Sequence, residues 1–237
     1  MRVPKATIVN MLTVTTGSLI GLWFRQYFSS GVEDMVFQAV GLGTIVIGIK
    51  MALRVPEGYL LIFMFSLIFG SVAGQLMHLD QGLEALSSLL KEGIGNTDSS
   101  FTEGLITAFL LFCIGSMTIV GALEEGLYGK RELLYVKATL DGFSSIMLAS
   151  TYGIGVLFSI IPMLIFQGGI TLMSSRLKAF FSEKVLNSLS GVGGVLIIGI
   201  SFNLLRAAKI NLENMLPSLL VVCVLAYGYE KRKNKFE

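Results

Sequence analysis

Long apolar runs recur along the whole chain, and they constrain its fold more than any other feature. "IVNMLTVTTGSLIGLWF" (8–24) and "GYLLIFMFSLIFGSVAGQLM" (58–77) are two of them. A helix of about twenty apolar residues crosses the hydrocarbon core of a bilayer, and helices satisfy their backbone groups there. Only 14% of the residues are charged, against about 25% in soluble domains. We therefore predict an all-α polytopic membrane protein.

The apolar runs divide into about eight predicted transmembrane helices within a single transmembrane domain. Their bounds are Lys5–Phe24, Val36–Leu53, Gly58–Met77, Thr102–Leu123, Leu134–Val156, Leu157–Ser175, Leu186–Leu205 and Leu212–Tyr229. Only "STYGIG" (150–155) separates the fifth run from the sixth, and its glycines favour a tight turn over one overlong helix. The first run has no small-residue cleavage site, so we interpret it as a span rather than a signal peptide.

The distribution of Lys and Arg predicts the orientation in the membrane. With eight spans both termini lie on one side, and the loops and tails of that side carry 14 of the 18 basic residues. Positive loops stay in the cytoplasm, so we predict a bacterial plasma-membrane protein with both termini inside. The basic tail 231–237 belongs to this side. A net charge of +2 is too small to indicate a nucleic-acid partner.

A polar-apolar pattern distinguishes one outer connection from the others. "LDQGLEALSSLLKEG" (79–93) starts with Asp80 as a helix cap, repeats leucine at helical spacing and stops at Gly93. This pattern predicts an amphipathic helix on the outer membrane surface. Packing over the ends of the spans explains it as well.

The two ends of the chain resemble each other. "QAVGLGTIVIGIKMAL" (38–53) aligns without a gap on "LSGVGGVLIIGISFNL" (189–204), and the third span with Glu57 resembles the eighth with Glu213. Spans one to three (5–77) would then repeat as spans six to eight (157–230) in the opposite orientation. Transporters use such inverted repeats, but channels and some enzymes share them, and glycine-rich helices also resemble each other by composition.

The central hairpin (102–156) shows a weaker internal echo. "EG" (103–104) precedes Gly115 by the same interval as "DG" (141–142) precedes Gly153. Spans four and five would therefore form a central pair around a pseudo-twofold axis in the membrane plane.

Small residues at helical spacing predict close contacts between helices. The glycines that we expect at such contacts are Gly17, Gly21, Gly43, Gly48, Gly104, Gly115, Gly142, Gly153, Gly194 and Gly199. These faces serve either the interior of one protomer or a homodimer.

Asp141 is the polar residue that most strongly indicates a function. It lies about seven residues into the fifth span, roughly 10 Å from the cytoplasmic end, and buried acids within spans are usually functional. It either pairs with Lys137, four residues earlier on the same face, or binds a cation or proton. Other polar side chains predicted to line this site are Ser144, Ser145, Ser116, Thr118, Asn10 and Gln167.

The remaining polar groups favour simpler interpretations. Glu124 and Glu125, with Lys130 and Arg131, are interpreted as a solvated network in the loop between spans four and five. The two cysteines lie in separate spans as apolar fillers, and the single histidine, His78, has no neighbouring ligand for a metal site. We expect no cofactor and no enzymatic activity, because no nucleophile–base pair or metal motif is present.

Several stretches resemble one known family. They are "LLFCIGSMTIVGALEEGL" (110–127), "DGFSSIMLASTYGIGVLFS" (141–159), "FQGGITL" (166–172), "GGVLIIGISFNLL" (193–205) and "NMLPSLL" (214–220). They are similar to the uncharacterised bacterial integral-membrane family of the YdfK/YqgA type, domain of unknown function five hundred and fifty-four. The resemblance spans nearly the whole chain and implies a multi-span bacterial inner-membrane protein. It implies no substrate, cofactor or catalytic residue.

The leading hypothesis is a small secondary transporter or ion-conducting protein with a polar site around Asp141 near the middle of the membrane. Its partners would be the lipid bilayer and a small ion or polar solute. The alternative is a membrane scaffold or regulator that acts through helix packing and transports nothing.

Overall fold

The computed structural model describes residues 4–27, 30–82, 85, 100–114 and 116–233. Within these ranges every regular element is a helix, which confirms the predicted all-α class. Most of the predicted outer amphipathic helix, residues 83–84 and 86–93, lies outside the described residues, as do Gly115 and the tail beyond Lys233.

Three helices form the N-terminal part of the chain. They are α1 (Lys5–Arg25), α2 (Ser30–Ala52) and α3 (Leu60–Leu76). Large apolar side chains on all three are exposed, among them Leu12, Leu42 and Phe69. Exposed apolar surface of this extent is typical of helices that contact lipid.

The central part contains α4 (Phe101–Cys113), α5 (Ser116–Tyr128) and α6 (Glu132–Tyr152). The predicted fourth span is therefore broken, and the axes of its two halves differ by 58°. Thr118 stabilises the break, because its hydroxyl donates to the Phe112 carbonyl at 2.9 Å. That carbonyl has lost the helical N–H partner that a continuous helix would supply.

The C-terminal part begins with a helical path over residues 155–177. It consists of α7 (Gly155–Phe158), α8 (Ile160–Met163), a π-helix (Leu164–Gly168) and α9 (Gly169–Leu177). Then follow α10 (Glu183–Leu204), a 3₁₀ turn (Glu213–Met215) and α11 (Ser218–Lys233).

Three of the described helices are long and apolar enough to cross a membrane: Lys5–Arg25, Gly155–Leu177 and Glu183–Asn203. The bent pair α4–α5 makes a fourth if it is counted as one span, and Gln38–Ala52 and Leu60–Leu76 are shorter apolar helices. Charged residues lower the apolar character of α6, which carries Glu132, Lys137 and Asp141.

Close helix pairs build the core. α1 packs along α6, α2 along α10, α3 along α11 and α5 along α9. Gly17 of α1 lies against the Gly142 carbonyl, and a Cβ on Gly48 would lie 2.7 Å from the Gly194 oxygen. Any side chain in place of the Gly17 or Gly48 hydrogen would force the two helix backbones apart.

The other predicted packing glycines differ in their surroundings. Gly21, Gly104 and Gly199 also lie where a Cβ would overlap a neighbouring helix or loop. Gly153 instead ends α6 with a φ of 76°, a conformation that favours glycine. At Gly43, by contrast, a Cβ would meet no described atom within 4 Å, because Gly48 and not Gly43 faces α10. A packing role for Gly43 stays a prediction.

Candidate functional site

Three of the predicted site residues meet in one buried network. Asn10 of α1 donates through Nδ2 to Asp141 Oδ2 of α6 at 2.9 Å and to Gln167 Oε1 of the π-helix at 3.2 Å. Gln167 Nε2 in turn donates to Thr7 Oγ1 at 3.2 Å. Asn10, Gln167 and Thr7 are fully buried, and Asp141 is 7% exposed. Polar groups so placed away from water must find partners within the protein.

Lys137 completes the network. Its ammonium group forms an ion pair with Asp141 Oδ2 from one helical turn away, and both side chains are buried. The same ammonium lies 6.0 Å from the centre of the Phe112 ring. The pair is neutral as a unit, which lowers the cost of placing two charges among apolar helices.

Asp141 also faces open space. With Ser144 it lines a cavity of about 330 Å³ between α2, α4 and α6. The other lining residues are Ala39, Val40, Gly43, Thr44, Ile47, Leu111, Phe112, Met147 and Leu148. The two interpretations of Asp141 therefore do not exclude each other, because the carboxylate is paired with Lys137 and borders a cavity.

Two other predicted lining residues lie elsewhere. Thr118 bonds the Phe112 carbonyl at the helix break. Ser145 donates to the Gly142 carbonyl at 2.7 Å and packs against Gly17. The Ser145 hydroxyl bonds its own helix, as Ser often does in apolar helices, whereas the Thr118 hydroxyl links α5 to the end of α4. The side chain of Ser116 lies outside the described part of the chain.

Thr7 belongs to the network although it was not among the predicted site residues. Thr7 and Asn10 are three residues apart on α1, and residues at this spacing share a helix face. That spacing was the signal that could have linked them. No spacing in the sequence indicated the π-helix that carries Gln167. Such turns are frequent at functional sites.

Glu125 corrects the interpretation of the loop between α5 and α6. This side chain is fully buried, and its Oε1 accepts from the Ala6 backbone N–H at 3.0 Å and from Arg131 Nε at 2.8 Å. It is not part of a solvated network. α1 has no acidic residue in its first turn, so Glu125 supplies the negative charge that a helix N-terminus favours.

A second and larger cavity of about 850 Å³ lies at the opposite end of the helices, where Asp80, Glu103 and Glu213 face Arg206 and Lys209. The Gln81 backbone N–H donates to Asp80 at 2.9 Å. This bond, helped by the amides of two asparagines, keeps the pKa of Asp80 below its usual value. The residues that line this cavity come from three helix ends and a loop, and the sequence did not predict the cavity.

Helices with exposed apolar faces around a buried polar network define a helical membrane protein. The family described as "Protein of unknown function (DUF554)" matches residues 5–227, and the chain belongs to this family, as the motifs predicted. It is 33% identical over 223 residues to the uncharacterized membrane protein YdfK of Bacillus subtilis, covering 93% of this chain and 95% of that relative.

A second relative is the uncharacterized protein YqgA of Escherichia coli. It is 23% identical over 226 residues, again covering 93% of this chain and 95% of the relative. No solved structure matches the chain.

Proposed function

We propose that this protein is a small secondary transporter or ion-conducting protein of the bacterial plasma membrane, with Asp141 as its charge-carrying group. The observation that carries the proposal is the double environment of Asp141. Its carboxylate is held by Lys137 and Asn10 and also lines a cavity of about 330 Å³. An acid used only to tie helices together needs no such space. The proposal assigns no catalytic activity and no cofactor.

The proposal includes eight spans with both termini inside. Contacts between connections support it, because each joins segments that the prediction places on the same side. Inner contacts are Ala6 with Glu125, Lys178 with Tyr128 and Tyr59 with Tyr229; outer contacts are Asp34 with Arg206, Asp80 with Asn211 and Phe101 with Phe158.

Labelling of single introduced cysteines tests this topology. An impermeant thiol reagent added outside cells should modify Lys209→Cys and spare Lys130→Cys. Both native cysteines are buried, which keeps the background low. Equal labelling at the two positions would contradict the orientation.

The proposal also includes the inverted repeat, and the helix pairs support it. Two helix pairs, α2–α10 and α3–α11, run antiparallel, and the pseudo-twofold axis of the repeat would map each pair onto itself. In α2–α10, Gly48 meets Gly194 and Thr44 bonds Ser201. The midpoint of these contacts falls near residues 46 and 197, which the repeat makes equivalent.

The pair α3–α11 behaves in the same way. Its contacts, Tyr59 with Tyr229 and Gly74 with Asn214, centre near residues 66 and 222, again equivalent positions. The two parallel pairs, α1 with α6 and the α4–α5 segment with the path 155–177, would exchange with each other. This is the arrangement that a pseudo-twofold axis in the membrane requires.

Two interruptions next to the network also support transport. The break between α4 and α5 lies beside Phe112, whose ring is near Lys137, and the π-helix carries Gln167. Irregular backbone within a membrane is tolerated where protein or a water-filled cavity surrounds it, and transporters bind ions at such places.

Flux in liposomes tests the proposed function. The purified protein is reconstituted, and uptake of Na⁺, K⁺, protons and a panel of small polar solutes is compared between wild type and Asp141→Asn. Asp34→Asn is the matched control, because this carboxylate is 60% exposed. We expect the first variant to lose flux and the control to keep it. Equal flux in all three, or none in the wild type, would refute the proposal.

The second candidate is a membrane scaffold or regulator. The close glycine contacts at Gly17 and Gly48 favour it, because they need no transported ligand. It predicts no flux in the wild type and a stable partner that co-purifies. Cross-linking in membranes also tests the homodimer that the glycine-rich faces suggested.

A further inference from the structure

Lys137 occupies the place where a bound cation would be expected. Its ammonium contacts Asp141 Oδ2 in a site where both side chains are more than nine-tenths buried. The carboxylate also accepts from the Asn10 amide and borders the cavity, and the Phe112 ring lies 6.0 Å from the Lys137 ammonium. A fixed positive charge therefore neutralises Asp141 when no ligand is bound.

The same site holds an amide oxygen without a donor. Asn10 is fully buried, its Nδ2 bonds both Asp141 and Gln167, and its Oδ1 has no hydrogen-bond partner among the described residues. A buried acceptor left unpaired is costly. Carboxylate and amide oxygens together are the ligands that hard cations prefer.

We propose that Lys137 is a tethered substitute for a transported monovalent metal cation, of which Na⁺ is the probe. The cation binds Asp141 and the free oxygen of Asn10 when the Lys137 ammonium withdraws, and Lys137 returns when the cation leaves. This inference rests on the proposed function and names the substrate class of the same site.

The charge of the site determines the charge of the cation that it would bind. Asp141 contributes one negative charge, so one monovalent cation restores neutrality once Lys137 has left. Lys137 lies one helical turn nearer the start of α6, which begins at Glu132 directly after the loop between α5 and α6. The flexible stem of lysine lets its ammonium reach the water at a helix end while the methylenes stay among apolar groups.

A tethered cation also determines which movements the carrier makes. With Lys137 in place the empty site is neutral, so it can pass between inward-open and outward-open conformations. Without it the empty site is a bare carboxylate, and an unpaired charge in a membrane span is costly. Such a protein would still exchange cations, because the loaded site is neutral, but it would perform little net uptake.

The first experiment measures Na⁺ binding by its effect on thermal unfolding in detergent, which does not depend on transport. Lys137→Gln should bind Na⁺ about tenfold more tightly than wild type, because a competing positive charge is gone. Asp141→Asn should not respond to Na⁺. Lys130→Gln is the matched control and should respond like wild type, because Lys130 lies in the exposed inner loop.

The second experiment uses radioactive Na⁺ in liposomes. Lys137→Gln should keep exchange between Na⁺-loaded compartments and lose about nine-tenths of net uptake into Na⁺-free vesicles. If this variant does not fold, Lys137→Arg replaces it. The arginine keeps the positive charge and can form a bidentate interaction with the carboxylate, so Na⁺ binding should weaken relative to wild type.

The outcomes separate the two proposals. If Asp141→Asn abolishes flux while Lys137→Gln matches wild type in both Na⁺ affinity and the ratio of exchange to net uptake, the tethered-cation inference is wrong and the proposed function stands. No response of Lys137→Gln to Na⁺, K⁺ or Li⁺ also overturns the inference. Wild-type flux in Asp141→Asn overturns both.

Discussion

Glu125 holds the start of the first helix against the middle of the chain, and its removal should destabilise the protein. Its carboxylate is fully buried and accepts from the Ala6 N–H at 3.0 Å and from Arg131 Nε at 2.8 Å. Glu125→Ala removes both acceptors and leaves the N-terminal backbone of α1 without its anion. Glu125→Gln keeps an acceptor for Ala6 but loses the charge.

The magnitude follows from these contacts. A hydrogen bond to a charged group contributes about 1.5–3 kcal/mol, and an anion at a helix N-terminus adds about 0.3–1 kcal/mol. The Arg131 pair adds under about 1 kcal/mol, because the arginine is 31% exposed and water screens it. Glu125→Ala should therefore cost about 2–4 kcal/mol, and Glu125→Gln about half of that.

Thermal unfolding in detergent is the assay. For a chain of this length a loss of 2–4 kcal/mol lowers Tm by about 4–16 °C. Glu124→Ala is the matched control, because the neighbouring carboxylate is only half-buried, and it should move Tm by less than about 2 °C. If Glu125→Ala unfolds within about 2 °C of wild type, the buried contact with α1 is not a stabilising one.

Gly48→Leu should lower the free energy of unfolding by at least about 1–3 kcal/mol, because a side chain there overpacks the α2–α10 contact. It should also broaden the size-exclusion peak. Gly43→Leu should do neither, because Gly43 faces open space. Thr118→Val should lower the unfolding free energy by about 1 kcal/mol because the Phe112 carbonyl loses its donor, and Thr118→Ser should restore it. The lowered pKa of Asp80 means that its bonds stabilise the protein above about pH 4 and are lost at lower pH. The Tm difference between wild type and Asp80→Ala should therefore be full at pH 7 and shrink at pH 3.

The helical architecture could be predicted because it depends on local pattern. Apolar length sets where helices lie in a membrane, and each predicted span overlaps a helical segment of the structure. The link between Asp141 and Asn10 was also within reach, since a buried acid in lipid demands polar partners. Its pairing with Lys137 follows from a four-residue spacing on one helix face.

The contacts that the sequence did not reveal join distant segments. Glu125 looked like a loop residue because nothing near it in sequence shows that α1 begins against it. Thr118 looked like a lining hydroxyl because the break before it follows no proline, and its bond to Phe112 exists only because the helix is interrupted. Gly43 and Gly48 both fitted a packing stripe, and only the rotation of α2 about its axis distinguishes them.

The proposed repeat gives Asp141 a counterpart in Glu103, and the two carboxylates differ in a way that bears on mechanism. Glu103 is exposed and lines the cavity of about 850 Å³. Asp141 is buried and needs Lys137. When two inverted halves exchange conformations, each takes the environment of the other. Under the proposed repeat, we therefore expect Asp141 to lie as the exposed Glu103 does once its own side opens. In that conformation water would replace the lysine as the partner of the carboxylate, and Lys137 would be free to leave.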